Sequence, residues 1–328
     1  MKVCIYGAGA IGGQIGAMLA RGGVDVSLIA RGPHLAAMRE NGLTLITEEE
    51  RFTVHPNCSD DPAELGPQDY VIIALKAHSV PGVVERMQPL LGPETAVVTA
   101  MNGVPWWYFH KFEGPLEGRR LESVDPGGAQ WRGIGPERAI GTVIWQAAEI
   151  VEPGVVQLNY GNRTPLGEPD GSRSDRVVAL SEAMIAAGIK APVKKKIRDE
   201  IWMKLWGNLS FNPVSVLTQS TLETIASDDG TRVVVGRMME EAKRIGEKLG
   251  VRFALSVEAR IETAKEVGAH KTSMLQDLEL GRPMELEALT GAVIELGRLV
   301  DEPTPTIELV YYLTRQRARE GGCYPEAG

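Results

Sequence analysis

The stretch KVCIYGAGAIGGQIGAMLARGG, residues 2–23, decides the fold. Its first five residues are mostly apolar and run into glycine, which reads as a short strand. AIGGQIGAMLARGG then places apolar residues at helical spacing and closes on a glycine pair. Between the two elements Gly7, Gly9 and Gly12 form GxGxxG. Alone the motif is weak. Here it follows a strand, opens a helix and lies in a unit of ~30 residues, the context that gives it meaning. Gly7 would permit the tight turn, Gly9 would let the backbone approach a pyrophosphate, and Gly12 would allow close helix–strand packing. The N–H groups and dipole at the helix start favour an anion. Gly7, Ala8, Gly9, Ala10, Ile11 and Gly12 are therefore candidate cofactor-binding residues.

The next elements extend the pattern. VDVSLIA (24–30) reads as a second strand, PHLAAMRENG (33–42) as a helix, DYVIIAL (69–75) as a buried parallel strand, SVPGVVERMQPLL as its crossover helix and AVVTAM (96–101) as another strand. Strands alternating with helices predict an α/β domain with a Rossmann-type doubly wound parallel sheet. An NAD site usually has Asp or Glu at the end of the second strand. This chain has Ala30 and then Arg31, a cation suited to a 2′-phosphate, so the expected cofactor is NADP(H). Ligands of such sheets bind beyond the carboxyl ends of the strands. Lys76 and Asn102 stand at two of those ends and are candidates for the same site.

Residues 105–138 are rich in Gly, Pro and Arg and begin with Trp106, Trp107, Tyr108 and Phe109. A connection this long is usually functional or disordered. AIGTVIWQAAEI and GVVQLNYG return to strand-like alternation, and 174–188 reads as a helix with a serine cap. From about residue 190 the patterns are almost all helical, over 196–212, 229–249, 255–280 and 285–300. The expected division is a dinucleotide-binding domain over 1–188 and an all-helical substrate-binding and catalytic domain over 189–328.

Within the helical part, KLWGNLSFNPVSVLT (204–218) carries Lys204, Asn208 and Asn212 at every fourth residue, along one side of a helix. Trp202, Leu205, Trp206 and Leu209 form a second, apolar stripe. Asn is a poor helix former, and Asn212 precedes Pro213, where helix is disfavoured. A plain solvated face would favour Glu, Lys and Arg, so the two amides point to a site. In HKTSMLQDLELGRPMELEALTG (270–291) helical spacing runs to Leu280, Gly281 and Pro283 break it, and Glu285 falls in the first turn of the next helix.

Composition bounds the alternatives. Lys+Arg 35 against Asp+Glu 43 gives a net charge of −8. That argues against a nucleic-acid or anionic-membrane binder, and leaves an anionic substrate to be met by local cations. Cys4, Cys58 and Cys323 show no metal spacing, and a sparse odd count suits a reducing compartment. Neither a signal peptide nor an uncharged apolar run of ~18 residues is visible, so the expected setting is cytoplasmic. The helical half has enough apolar faces for a homodimer, although its own core could use them.

GAGAIG, LKAHSV, NGV, KLWGNLSFNPVSVLT and SMLQDLELGRPMELEALTG occur in this order and span most of the chain. Together they resemble the ketopantoate reductase (2-dehydropantoate 2-reductase) family. The resemblance implies an N-terminal Rossmann domain, a helical C-terminal domain and a site in the cleft between them. It implies NADPH reducing a 2-oxo acid to a 2-hydroxy acid, with pantoate made on the route to coenzyme A. By matching position, Lys204 looks like the catalytic lysine and Glu285 like its acidic partner. Asn208 and Asn212 look like substrate-binding amides and Ser273 like a contact to the carboxylate. Lys76 and Asn102 look like residues lining the cofactor–substrate junction, and Arg31 like the 2′-phosphate ligand. Two departures stand out. His270 occupies a position where the family commonly has Asn, and would be a larger substrate-binding residue. The 105–138 segment is longer than the family's usual connection. Either could suit a paralogous reductase for a bulkier 2-oxo acid. A cofactor-binding sensor without turnover is the third alternative, and it has no need of a proton donor.

Overall fold

The computed structural model describes residues 1–325. The strands are β1 (Lys2–Tyr6), β2 (Asp25–Ile29), β3 (Leu43–Ile46), β4 (Arg51–Val54), β5 (Asn57–Ser59), β6 (Gln68–Ile73), β7 (Leu91–Thr99), β8 (Ala139–Thr142), β9 (Ala147–Glu152), β10 (Val155–Tyr160) and β11 (Leu166–Gly167). The helices are α1 (Ala10–Arg21), α2 (Gly32–Asn41), α3 (Val84–Met87), α4 (Ala129–Gly133), α5 (Asp175–Ala186), α6 (Ile197–Thr218), α7 (Leu222–Ser227), α8 (Asp229–Lys248), α9 (Val257–Glu266), α10 (Ser273–Glu279), α11 (Ala292–Leu299) and α12 (Pro305–Glu320). They fall into two compact units. One comprises Met1–Met101, Pro105–Arg120 and Gly127–Ile197; the other comprises Asn102–Val104, Leu121–Pro126 and the chain from Arg198 onward. None of the helices among the described residues is long and apolar enough to cross a membrane.

The first unit is built on a sheet in the order β11-β8-β7-β6-β1-β2-β5. All neighbours in it are parallel except β11 against β8. β1 lies between β2 and β6, and its Val3, Cys4 and Ile5 are fully buried. That explains the unbroken apolar run, because both faces of the strand are covered. A second sheet, β4-β3-β10-β9, lies on the other side of α1; the strand-like alternation of AIGTVIWQAAEI and GVVQLNYG anticipates β9 and β10, but β3 and β4 have no counterpart in the sequence reading. A methyl group on Gly16 would meet Leu28 at 2.7 Å, and one on Gly13 would meet Val156 at 2.9 Å. α1 is therefore squeezed between two sheets, which is why it carries more glycines than a phosphate loop requires.

Two expected helices are broken, for local reasons. The crossover after β6 becomes 3₁₀ turns at Pro81–Val83 and Gln88–Leu90 around the four-residue α3, because Pro81 and Pro89 lack donors. The expected helix over 255–280 stops at Glu266, near Gly268 with φ +81°, and restarts as α10 under a Thr272 cap. Trp106, Trp107, Tyr108 and Phe109 are buried in the first unit. The Trp107 indole donates to Thr99 Oγ1 at 3.0 Å, so the aromatic run is core rather than an exposed loop.

In the second unit α8 packs against α7, α9, α11 and α12. The apolar stripe of α6 is fully buried: Trp202, Leu205, Trp206 and Leu209 are at most 1% exposed. Trp206 donates from its indole to the Met239 carbonyl at 2.8 Å, and Phe253 lies against both tryptophan rings. Truncating one such tryptophan typically costs about 3–5 kcal/mol. That anchorage carries the helix through Pro213 to Thr218, in keeping with the helical reading of 204–218 and past the end near residue 212 that the wider pattern gave.

Candidate active site

The glycine loop closes tightly on the sheet. Gly7 has φ +103°, and a methyl group there would sit 2.6 Å from Leu75 Cδ2. The Gly7 and Ala8 N–H groups donate to the Ile29 carbonyl at 3.1 and 2.8 Å. A methyl group on Gly12 would come within 2.2 Å of the Gly7 carbonyl oxygen. Gly9 differs, since a methyl group there would meet nothing within 4 Å. It caps α1 without a side-chain hydrogen bond, and the first turn carries no acid. The first turn of a helix leaves N–H donors that an anionic group can satisfy, and open space surrounds the position a Gly9 side chain would take. Ala8 is buried; Ala10 and Ile11 are half-buried in the same turn.

Arg31 and Lys76 stand just past the carboxyl ends of β2 and β6, the two strands flanking β1. Arg31 is exposed at the start of α2 in extended backbone, and Lys76 is half-buried before a 3₁₀ turn. The sheet thus gathers Gly7, Arg31 and Lys76 at one edge. His78 in that turn was not singled out from sequence. Burial, reinforced by Lys76, pushes its pKa down to about 4, so the imidazole is neutral near pH 7.

The second cluster lies in the helical unit. Lys204 Nζ on α6 donates to Asn102 Oδ1 at 2.8 Å, and Asn102 Nδ2 donates to Glu285 Oε2 at 3.0 Å. One amide therefore joins the ammonium to the carboxylate. Burial pushes the Lys204 pKa down to about 8, and the Glu285 charge partly opposes that shift. Asn102 is fixed by its neighbours. Gly103 has φ +90° and a methyl group on it would lie 2.3 Å from the Ala288 carbonyl oxygen; Val104 N–H donates to that oxygen at 3.0 Å. Ala288 belongs to a π-helical turn, Glu287–Gly291, directly after Glu285. Such turns recur at functional sites. The Asn-Gly pair is a turn, and it is also what brings Asn102 to Lys204.

The remaining candidates spread along α6 and beyond. Asn208 is half-buried and Asn212 is 4% exposed. The Asn212 carbonyl, next to Pro213, accepts from Ser215 Oγ at 2.7 Å. Ser273 is exposed at the first position of α10. Thr272 before it is buried and shares a 2.6 Å hydrogen bond with Ser215 on α6. His270 is exposed, and its carbonyl accepts from Leu222 N–H at 3.0 Å.

A parallel sheet with an open glycine loop, followed by a helical unit around a desolvated lysine, defines a class: two-unit oxidoreductases of Rossmann type. Residues 3–171 match the family model described as Ketopantoate reductase PanE/ApbA, and residues 196–318 match Ketopantoate reductase PanE/ApbA C terminal. The chain belongs to the ketopantoate reductase family. The 2-dehydropantoate 2-reductase of Mesorhizobium japonicum is 57% identical over 325 residues, covering 99% of this chain and 100% of that one. A solved structure from Ralstonia solanacearum MolK2, assigned to the ketopantoate reductases, superposes with a TM-score of 0.94 at 41% identity, covering 98% of this chain and 99% of that one. D-mandelate dehydrogenase with NADH and anilino(oxo)acetate has a TM-score of 0.81 over 98% of this chain and 99% of its own. At 20% identity that likeness is one of fold.

Proposed function

We propose that this chain reduces 2-dehydropantoate (ketopantoate) to pantoate with NADPH, and that Lys204 supplies the proton. The Lys204–Asn102–Glu285 network is the observation that carries this. Reducing a ketone develops negative charge on its oxygen. A positioned ammonium stabilises that charge and gives up its proton, a contribution of ~10²–10⁴-fold. Its pKa must lie near the working pH, and burial provides that for Lys204. Glu285 keeps enough of the lysine charged to act as an acid. Asn102 holds the two groups in register, so it belongs with the catalytic pair as much as with the cofactor. Asn208 and Asn212 would hold substrate oxygens without a competing charge, and Ser273 would contact the carboxylate.

The dinucleotide, when bound, supplies the hydride. The space at Gly9 and the first turn of α1 suit its pyrophosphate. Arg31 would pair with the 2′-phosphate, and Lys76 would line the nicotinamide end. Two features had favoured a bulkier acid. One, the aromatic run, is buried as core of the first unit, and the other, His270, is exposed. The buried aromatic run, with the 57% identical relative, supports ketopantoate. Buried thiols suit a cytoplasmic setting: burial pushes Cys4 up to about 12 and Cys58 to about 11.

The test is NADPH oxidation across a panel of 2-oxo acids, followed by loss of the reduced nicotinamide absorbance. Ketopantoate should give the highest kcat/KM. Faster turnover of an aromatic 2-oxo acid would move the assignment to the paralogous reductase, and no oxidation with any 2-oxo acid would overturn it.

A further inference from the structure

Arg260, on α9, is half-buried and its guanidinium lies against Gly207 of α6. A methyl group on Gly207 would be 2.3 Å from Arg260 Nη2 and 3.0 Å from Cζ. Gly207 is three residues past Lys204 and directly before Asn208. Residues three apart on a helix are surface neighbours, about 5–6 Å between Cβ atoms. The absent side chain of Gly207 lets a second cation approach the flank of the stripe that carries Lys204 and Asn208.

Among the described residues that cation has no ion-pair or hydrogen-bond partner for its guanidinium. Glu262, two residues along the same helix, is paired with Arg232 at 2.7 Å instead. Burial pushes the Arg260 pKa down with no acidic neighbour to offset it. A partly desolvated charge left uncompensated is costly, so a protein that keeps one usually has an anion to receive.

We propose that Arg260 binds the carboxylate of the substrate, gripping both oxygens from across Gly207 while Lys204 faces the adjacent ketone. This rests on Lys204 being the proton donor to a 2-oxo acid. In such an acid the carboxylate carbon is bonded directly to the ketone carbon, so its receiver must stand close to the general acid. Arginine suits that place. Its planar fork matches a carboxylate and it does not deprotonate, whereas the lysine must. The two cations divide the labour, one for binding and one for proton transfer. Ser273, exposed at the start of α10, would add a hydroxyl contact to the same group.

The experiment uses the full chain with NADPH, comparing 2-dehydropantoate with its uncharged methyl ester for wild type, Arg260→Gln and Gly207→Ala. Charge-assisted hydrogen bonds lost to the acid should raise its KM by roughly 10–100-fold in Arg260→Gln. Turnover of the ester and the dissociation constant for NADPH should stay as in wild type, so the preference for acid over ester collapses. Gly207→Ala keeps the charge but displaces the flexible guanidinium. It should also raise the KM for the acid without lowering the melting temperature, since alanine favours helix. An unchanged acid-to-ester ratio in Arg260→Gln overturns the proposal while leaving the role of Lys204 intact. If wild type reduces no 2-oxo acid, the proton-donor assignment fails by itself. Calorimetric binding of pantoate to wild type and Arg260→Gln then decides, and equal affinities overturn the proposal.

Discussion

The glycine loop and the lysine cluster solve different problems with different materials. The loop is made of backbone: its working feature is the space at Gly9, and its neighbours Gly7 and Gly12 are fixed by contacts a methyl group could not survive. The lysine cluster is made of side chains from positions 102, 204 and 285, held by hydrogen bonds of 2.8 and 3.0 Å. A site built from missing atoms tolerates little local substitution but needs few long-range contacts. One built from three distant side chains depends on every element that aims them.

The contrast breaks first, if it breaks, at Lys204. Lys204→Ala should lower kcat by ~10²–10⁴-fold while NADPH affinity holds, because only the proposed proton donor is lost. Near-normal turnover would remove the chemical half of the comparison. Arg31→Ala should reverse the roles: the preference for NADPH over NADH drops by roughly 10–100-fold, as expected for lost charge-assisted bonds, with kcat little changed at saturating cofactor. A preserved preference, measured with both cofactors, would leave the 2′-phosphate without its ligand.

Gly9→Ala sharpens the loop itself. Its backbone has φ −78° and open surroundings, so the unfolding free energy from urea titration should stay within about 0.5 kcal/mol of wild type while NADPH affinity falls several-fold. Gly12→Ala should instead lose stability, since its methyl group meets the Gly7 carbonyl. The smallest expected effect is on pH. As the proposed proton donor Lys204 would act as the ammonium, with a pKa of about 8, so kcat/KM for reduction should be flat below that pH and fall above it. Glu285 raises that pKa, so removing its charge in Glu285→Gln should slide the fall to lower pH. A profile that stays put or moves to higher pH would separate Glu285 from the lysine.

Legibility followed the same divide. The strand–loop–helix at residues 2–23 is contiguous, and GxGxxG reports backbone needs that only glycine meets, so this half could be read from the chain. β3, β4 and β5 could not, because each is three or four residues long and lies between turn residues. The second sheet showed in the chain only through the strand-like alternation that became β9 and β10 and through the extra glycine at 13, which makes room for Val156. On α6 the stripe of Lys204, Asn208 and Asn212 was readable, but Asn102 as the joint between Lys204 and Glu285 was not. Nothing local to NGV reveals a partner 102 residues away in sequence. The helical reading of 204–218 held through Pro213, where buried tryptophans outweigh a local preference that argued for an end near residue 212. Arg260 escaped notice because an arginine on a polar helix looks like any other until Gly207 is seen beneath it.

The short excursion Asn102–Val104, with Leu121–Pro126 behind it, has a practical corollary. Both pieces are docked on the helical unit: Val104 on Ala288, and the Glu122 and Ser123 N–H groups on the Glu295 carboxylate at 2.9 Å. No single cut in the polypeptide yields an intact second unit. A fragment starting at residue 198 would carry the lysine and the glutamate yet lack the amide that couples them. Anyone grafting this half onto a foreign nucleotide-binding scaffold must therefore transplant three segments, not one.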